Sequence, residues 1–178
     1  MRKIVLVFGL ISGIIVSVLM YMMLPAQGEK MNFDRGMITG YITMIIALST
    51  IFFGVKNYRD KVNAGHVNFG KAFLIGLYIS LIASAFYVVT WELYFRTAGS
   101  SFMADYTQYT LGKMKSNGSS DAEVLKEAKE MKTMWEAYQN PGVRYFMTAF
   151  EILPVGIVVS LICAAILKRP KRKGNQVV

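Results

Sequence analysis

The sequence predicts an all-α integral membrane protein, a bundle of four transmembrane helices with an extracytoplasmic helical hairpin between the third and the fourth. Two observations predict this class. Of the 178 residues, 54% are apolar and only 17% are charged, whereas about a quarter are charged in an ordinary soluble domain. The apolar residues are also gathered into four long runs. A chain of this length forms one domain, which we take as a single membrane domain over residues 1–178.

Each of the four runs is long enough to cross a bilayer. Three of them contain no Asp, Glu, Lys or Arg, and the fourth contains one acid, Glu151. A helix rises about 1.5 Å per residue, so about 20 residues cross a hydrocarbon core of about 30 Å. The first run is longer than the apolar segment of a signal peptide, so we interpret it as an uncleaved anchor. The predicted spans are residues 4–24, 37–55, 72–91 and 145–167.

The positions of the basic residues predict the orientation of the spans. The N-terminus, the second connection and the C-terminal tail together hold 11 basic residues and one acid, whereas the first and third connections are balanced. Cytoplasmic loops of membrane proteins carry the excess of Lys and Arg. Both termini are therefore predicted to be cytoplasmic, and residues 168–178 form a basic cytoplasmic tail.

The same distribution argues against nucleic acid as the partner that the net charge of +9 suggests. The excess charge is divided among three segments beside membrane ends, where anionic headgroups attract each Lys or Arg by about 1 kcal/mol. The expected partner is the anionic headgroup layer on the cytoplasmic side, and a specific phosphoinositide or nucleic-acid site is the alternative. The candidate headgroup contacts are Lys56, Arg59, Lys61, Lys71, Lys168 and Arg169.

The third connection is long enough to contain helices of its own. In an extracytoplasmic insertion over residues 96–140, aromatic residues at helical spacing precede the helix breaker Ser116-Asn117-Gly118-Ser119. Ser120 and Glu123 then have the spacing of a capping box, which predicts the start of a second short helix. One face of that helix carries an apolar stripe that either forms the local core of the hairpin or binds a partner or the membrane surface. This candidate partner face comprises Val124, Ala128, Met131, Trp135 and Tyr138.

Every span contains small residues four positions apart. Lipid provides no hydrophobic drive for helices to associate, so close approach through small residues is the available means. The pattern therefore predicts a compact bundle, and it leaves open whether the contacts are within one chain or between chains. The candidate packing residues are Gly9, Gly13, Gly36, Gly40, Gly76, Ser80, Gly156 and Ser160.

Glu151 is the charged residue inside a predicted span, about 9 Å from its start. A carboxylate at that depth is costly unless it is paired, protonated or hydrated, and Pro154 interrupts the hydrogen bonds of the same helix. Glu151 and Pro154 are therefore a candidate proton or ion site. The alternatives are that Glu151 reaches the outer interface or pairs with Arg144. By the same reasoning, Glu92 is expected to pair with Arg96 at i+4.

Sequence motifs for catalysis and metal binding are absent. The chain has no phosphate-binding loop, no dinucleotide-binding glycine run, no HExxH and no GxSxG. His66 is the single His and lies in a predicted cytoplasmic loop, and Cys163 is the single Cys and lies in an apolar span. We therefore predict no catalytic, cofactor-binding or metal-binding residues, no cofactor, and a protein that is not an enzyme.

Three short segments resemble a known family. Phe52 to Asp60 closes the second span, Phe69 to Phe73 opens the third, and Trp91 to Tyr94 ends it. Together with the overall plan they are similar to the bacterial membrane proteins of the domain-of-unknown-function family 4199, over nearly the whole chain. The resemblance implies a bacterial inner-membrane protein with four spans, and it implies no activity and no functional residues.

Two functional hypotheses of different class follow. The first is an uncharacterised, non-enzymatic structural or interaction protein of the bacterial inner membrane that acts through its bundle and outer hairpin, as a homo-oligomer or on a membrane-protein partner. The alternative is a small proton- or cation-coupled transporter or channel that uses Glu151 at the Pro154 kink. A coupled pathway needs polar residues across the midplane, where the spans offer Ser, Thr, Tyr and Gly. A lipid-modifying or lipid-binding role of the basic inner loop is a third hypothesis.

Overall fold

The computed structural model describes residues 1–24 and 33–169, and the elements that it defines there are helices. Four segments are long and apolar enough to cross a membrane, as predicted, and α2 with α3 forms one of them. The basic tail is described only as far as Arg169, so Lys171, Arg172 and Lys173 lie outside the described residues. The helices are α1 (Arg2–Met23), α2 (Phe33–Leu48), α3 (Thr50–Asn57), α4 (Phe69–Ser116), α5 (Asp121–Tyr138) and α6 (Pro141–Leu167).

The second membrane-capable segment is divided where hydroxyl groups bind its backbone. The carbonyl of Ala47 accepts from Ser12 Oγ of α1 at 2.8 Å and from Thr50 Oγ1 at 2.9 Å. Hydroxyl groups that bond to a carbonyl one turn earlier perturb a helix, and α2 gives way to α3 here. After α3 the chain makes one π-helical turn, Tyr58–Val62, before the connection to α4.

The fourth membrane-capable helix begins four residues earlier than the predicted span. Asn140 caps α6 by accepting from Gly142 N at 2.9 Å, and Pro141 occupies the first turn, where its missing N–H costs nothing. Only Gln139 and Asn140 therefore separate the end of α5 from the start of α6.

α4 lies between α6 and α1, and small residues set its distance from α6. A Cβ added to Gly76 would lie 2.6 Å from Ser160 Oγ, and one added to Gly156 would lie 2.6 Å from Ser80 Oγ. The space beside each glycine is therefore occupied by the side chain of a serine on the opposite helix. Side chains larger than hydrogen at the two glycines would separate the helices.

The glycines of α1 also lie at a helix contact, whereas those of α2 do not. A Cβ on Gly9 or Gly13 would come within 2.7 Å of a side chain of α4. A Cβ on Gly36 or Gly40 would meet no atom of the described chain within 4 Å. Among the described residues, Gly36 and Gly40 do not pack helices together within one chain, because α2 buries residues only from Thr43 onward. The alternative that they lie at a contact between chains stays a prediction.

α4 continues without a break from the third predicted span into the insertion, where a separate short helix was predicted. It has 48 residues and is not straight. The ring centroids of Trp91 and Phe102 are 5.1 Å apart, although eleven residues of straight helix rise about 16 Å. The axis therefore bends between them, where Gly99 is followed by Ser100, a known source of helix kinks. We call residues 100–138, which comprise the end of α4, the turn and α5, the cap.

Candidate functional site

A buried ion pair lies where the cap meets the bundle. Arg144 of α6 donates to Glu92 of α4 through Nε at 2.7 Å and Nη2 at 3.0 Å. The two side chains are only 6% and 11% exposed, and such a forked arrangement is the strongest form of this interaction. Arg96 Nε adds a third bond to the same carboxylate at 3.0 Å, which confirms the predicted i+4 pair.

Arg144 also connects α6 with α5. Its Nη1 donates to the carbonyl of Tyr138 at 2.9 Å, and its guanidinium lies 4.3 Å from the centroid of the Phe95 ring. The Tyr138 hydroxyl in turn accepts from Trp91 Nε1 at 2.7 Å. One guanidinium therefore holds α4, α5 and α6 together. The alternative in which Arg144 pairs with Glu151 is wrong, because Glu92 takes the Nε and Nη2 groups of Arg144.

Glu151 has a different partner. The hydroxyl of Tyr87 on α4 donates to Glu151 Oε2 at 3.1 Å. Glu151 lies about 15 Å along α6 from its first residue, on the exposed surface of the bundle, and Pro154 is exposed as well. The site thus combines a carboxylate with a phenol that donates to it, on the surface that faces lipid if the helices span a membrane. The sequence did not indicate Tyr87, which is 64 positions away.

Two buried serines lie where α4 and α6 are in contact. Ser80 Oγ donates to Gly76 O at 3.0 Å, and Ser160 Oγ donates to Gly156 O at 2.6 Å. Both serines are 1% exposed or less. Each hydroxyl satisfies a carbonyl of its own helix and fills the space at the opposite glycine, so the α4–α6 contact is closed.

The predicted partner face of α5 is the core of the cap. Val124, Met131 and Tyr138 are 7%, 3% and 8% exposed. Trp135 is half-buried, and its Nε1 donates to Thr107 Oγ1 of α4 at 3.0 Å. This stripe packs against the end of α4, because a helix this polar on its other face has no other apolar surface to pack against. Of the two predicted alternatives for this stripe, the burial of Val124, Met131 and Tyr138 agrees with the local core of the hairpin.

The predicted capping box starts α5, as expected. Ser120 Oγ accepts from Glu123 N, and Glu123 Oε2 accepts from Ser120 N at 2.8 Å. The N–H and the hydroxyl of Ser120 both donate to the Glu123 carboxylate, and these two hydrogen bonds hold the pKa of Glu123 below its ordinary value.

The start of α2 is attached to the cap. The Phe33 ring packs edge-on against Phe102 and Tyr106, with centroid distances of 5.8 and 5.3 Å. Asp34 forms an ion pair with Lys113 at 2.6 Å. α2 is therefore held at both ends, by the cap and by the bundle, while Gly36 and Gly40 between them stay open.

The predicted headgroup contacts lie at the opposite end of the bundle, which we call the basic end (residues 56–71 and 168–169). Val67 N donates to Arg169 O at 2.9 Å, and Arg169 N donates to Val67 O at 2.7 Å. This antiparallel bridge ties the second connection to the residue that follows α6. The ammonium group of Lys71 lies 5.9 Å from the ring centroid of Tyr58.

Ion pairing differs between the two ends of the molecule. In and around the cap, four Lys or Arg residues besides Arg144 have carboxylate partners. These pairs are Arg96–Glu92, Lys113–Asp34, Lys126–Glu130 and Lys132–Glu136. At the basic end, the acid of the second connection, Asp60, is bound by Arg59 through two bonds of 2.6 and 3.0 Å. Within the described residues the exposed cations without an ion pair at this end are Lys56, Lys61, Lys71, Lys168 and Arg169.

The single His and the single Cys lie on different elements. In residues 1–24 and 33–169, no group of three or more His, Cys, Asp or Glu side chains is arranged to hold a metal ion. His66 lies in the loop before the Val67 bridge, and Cys163 is buried in α6.

The comparisons with known proteins agree with the resemblance in the sequence. A family model described as "Protein of unknown function (DUF4199)" matches residues 7–169. No curated protein and no solved structure matches the chain. Since the family model covers the four membrane-capable segments, the cap and the basic end, the chain belongs to the DUF4199 family of proteins of unknown function.

Proposed function

We propose that this chain is a multi-pass protein of a bacterial inner membrane that acts by contacting other membrane components and not by catalysis or transport. The observation that carries the proposal is the closed α4–α6 contact. Ser80 and Ser160 each fill the space at a glycine of the other helix, and both hydroxyls bond to their own backbones. A bundle packed in this way offers its surface, and not its interior, to another molecule.

The surface that we propose for contact is the one around Glu151. Phe146 and Phe150 beside it are 70% and 64% exposed, and the apolar stripe of α5 is already used inside the cap. A carboxylate that faces lipid is unfavourable, whereas a helix from a second copy or from another membrane protein would cover it and supply a hydrogen-bond donor. Glu151 and Phe150 would be at the centre of this contact.

A photo-crosslinking amino acid at Phe150 tests this contact in native membranes. We expect a discrete adduct at position 150 and none at Leu81, which is also exposed, at 45%, but lies on α4. An adduct with the mass of two chains would identify a homo-oligomer. Absence of an adduct at position 150, or equal adducts at both positions, would contradict the proposed surface.

In the proposed orientation the basic end is cytoplasmic and the cap lies outside the membrane. The balance of charge supports it, because the second connection and the tail carry an excess of Lys and Arg, whereas the third connection is balanced. Cys163→Ala leaves no cysteine, so single cysteines can then be introduced at Ser119 in the turn of the cap and at Val62, the exposed last residue of the π-helical turn at the basic end. A maleimide that does not cross membranes should label position 119 in intact spheroplasts and position 62 only after permeabilisation. The reverse pattern would overturn the orientation.

Proton or cation transport is the second candidate, and the Glu151–Tyr87 hydrogen bond beside Pro154 favours it. Glu151→Gln separates the two functions, because it removes the titratable group and keeps the size of the side chain. For a contact protein, proteoliposomes with the wild-type chain and with Glu151→Gln should show the same proton uptake under a pH gradient as empty liposomes. Uptake that the wild type supports and Glu151→Gln abolishes would establish the transporter instead.

A further inference from the structure

We propose that the basic end binds the phosphate group of an anionic phospholipid through Lys56, Lys168 and Arg169, with an acyl chain of the same lipid lying on the adjacent apolar helix surface. This proposal does not depend on the contact surface around Glu151. It identifies an anionic phospholipid as a partner and assigns the binding of its phosphate group to three cations of the basic end.

The first argument is that the fold brings these cations together from distant parts of the sequence. The backbone bridge between Val67 and Arg169 fixes the residue after α6 beside the second connection. Lys56 lies in the last turn of α3, and α3 packs against α6, which ends two residues before Arg169. The side chain of Arg169 takes no part in the bridge, which uses backbone atoms, so its guanidinium remains available for a ligand.

The second argument concerns the partners of the charges. Arg59 binds Asp60 with both of its forked N–H groups, so the acid of this region is neutralised by a residue other than the three proposed. Lys56, Lys168 and Arg169 are exposed and have no ion pair within the described residues. In the cap, Lys113, Lys126 and Lys132 are paired with Asp or Glu instead. The basic end therefore retains positive charge for an external anion.

The third argument is that apolar surface continues directly from the cations. Phe53 lies one turn before Lys56 on α3 and is 58% exposed, and Leu74 lies one turn after Lys71 on α4 and is 42% exposed. A ligand that combines an anionic head with a hydrocarbon chain satisfies both parts of this surface. A free phosphate ion or a nucleic acid would use only the cations. The chemistry therefore favours a phospholipid.

The proposal is tested by titrating the full-length protein with phosphatidylglycerol in neutral phosphatidylcholine nanodiscs and counting bound lipids by native mass spectrometry. We expect the combined change Lys56→Gln, Lys168→Gln and Arg169→Gln to weaken phosphatidylglycerol binding at least about tenfold, because each cation contributes to the attraction. The matched control removes three positive charges from the cap through Lys126→Gln, Lys129→Gln and Lys132→Gln, and it should bind as the wild type does.

Four results would overturn the proposal. The triple variant of the basic end could bind phosphatidylglycerol as tightly as the wild type, or the cap variant could lose as much affinity. Bound phosphatidylcholine could equal bound phosphatidylglycerol in the wild type. An excess of inorganic phosphate could displace the lipid completely, which would indicate a site for a free anion. If the triple variant does not fold, Lys56→Gln and Arg169→Gln are tested singly, and each should weaken binding by a smaller factor.

Discussion

At the scale of single residues, the interaction between Glu92 and Arg144 decides how the cap is attached. Glu92 accepts three hydrogen bonds from two guanidinium groups, and the pair with Arg144 is removed from solvent. Burying two charges is costly, so such a pair contributes little against an apolar replacement, yet removing one partner leaves a buried charge without compensation. The Glu92 carboxylate therefore has a buried partner, Arg144, and an exposed partner, Arg96. The contributions of the two partners to stability can be compared.

Arg144→Ala and Arg96→Ala should differ in their effect on stability. Loss of Arg144 leaves Glu92 with only an exposed partner, so we expect a loss of about 3–5 kcal/mol in the free energy of unfolding. Arg96 is 68% exposed, so its loss should cost less than about 1 kcal/mol. Unfolding in mixed detergent micelles measures both. Equal losses would show that the buried pair does not hold the cap.

Acid should weaken the start of α5 through Glu123. Its pKa is lowered in the folded protein by the hydrogen bonds of the capping box. A group of this kind contributes stability above its unfolded pKa and loses it as the pH falls through the lower, folded value. We expect amide hydrogen exchange in the first turn of α5, corrected for the intrinsic rate, to increase as the pH falls through this range. Glu123→Gln should show no such dependence, and a matching increase in that variant would exclude the carboxylate as the cause.

At the scale of helices, close packing is limited to the glycines that face another helix. Gly76 and Gly156 receive serines across the α4–α6 contact, whereas Gly40 on α2 faces open space. The spacing of small residues in the sequence did not distinguish the glycines of α2 from those of α4 and α6. Small residues are required only where two backbones approach, and a Cβ at Gly36 or Gly40 would meet no described atom within 4 Å.

Gly40→Ala and Gly76→Ala should have opposite effects on stability. Alanine favours a helix over glycine by about 1 kcal/mol, so Gly40→Ala should be neutral or stabilising. Gly76→Ala places a carbon 2.6 Å from Ser160 Oγ and 2.9 Å from Ile51 Cγ2, and overpacking of this kind typically costs about 1–3 kcal/mol. Thermal unfolding in detergent measures both variants. A stabilised Gly76→Ala would mean that α4 and α6 separate without cost.

Local patterns were sufficient for some elements and insufficient for others. The apolar runs predicted four helices, and Ser120 with Glu123 predicted the start of α5, because both signals involve residues close in sequence. The continuity of α4 was missed, since a single Gly99 does not end a helix and the bend there depends on contacts such as Trp91 with Phe102. The partners of Arg144 and Glu151 were missed for the same reason, because 52 and 64 positions separate them from Glu92 and Tyr87.

At the scale of the whole molecule, the contacts that hold it together cross the turn of the cap. The turn at Asn117 and Gly118 is exposed, and Gly118 adopts a φ of 85°, which suits glycine. The Glu92–Arg144 pair, the α4–α6 contact and the packing of Trp135 on α4 each join residues before the turn to residues after it. Continuity of the chain at this turn is therefore not required for the folded structure.

A protease site inserted between Asn117 and Gly118 tests this conclusion. After cleavage of the purified, folded protein in mild detergent, we expect the two fragments to co-elute, because three separate contacts connect them. Adding Glu92→Ala should make them dissociate at a lower denaturant concentration, since Arg144 then lacks its buried partner. Lys126→Gln, which changes an exposed residue within one helix, is the control and should have no effect. Fragments that separate at once would mean that the turn, and not the packing, keeps the cap on the bundle.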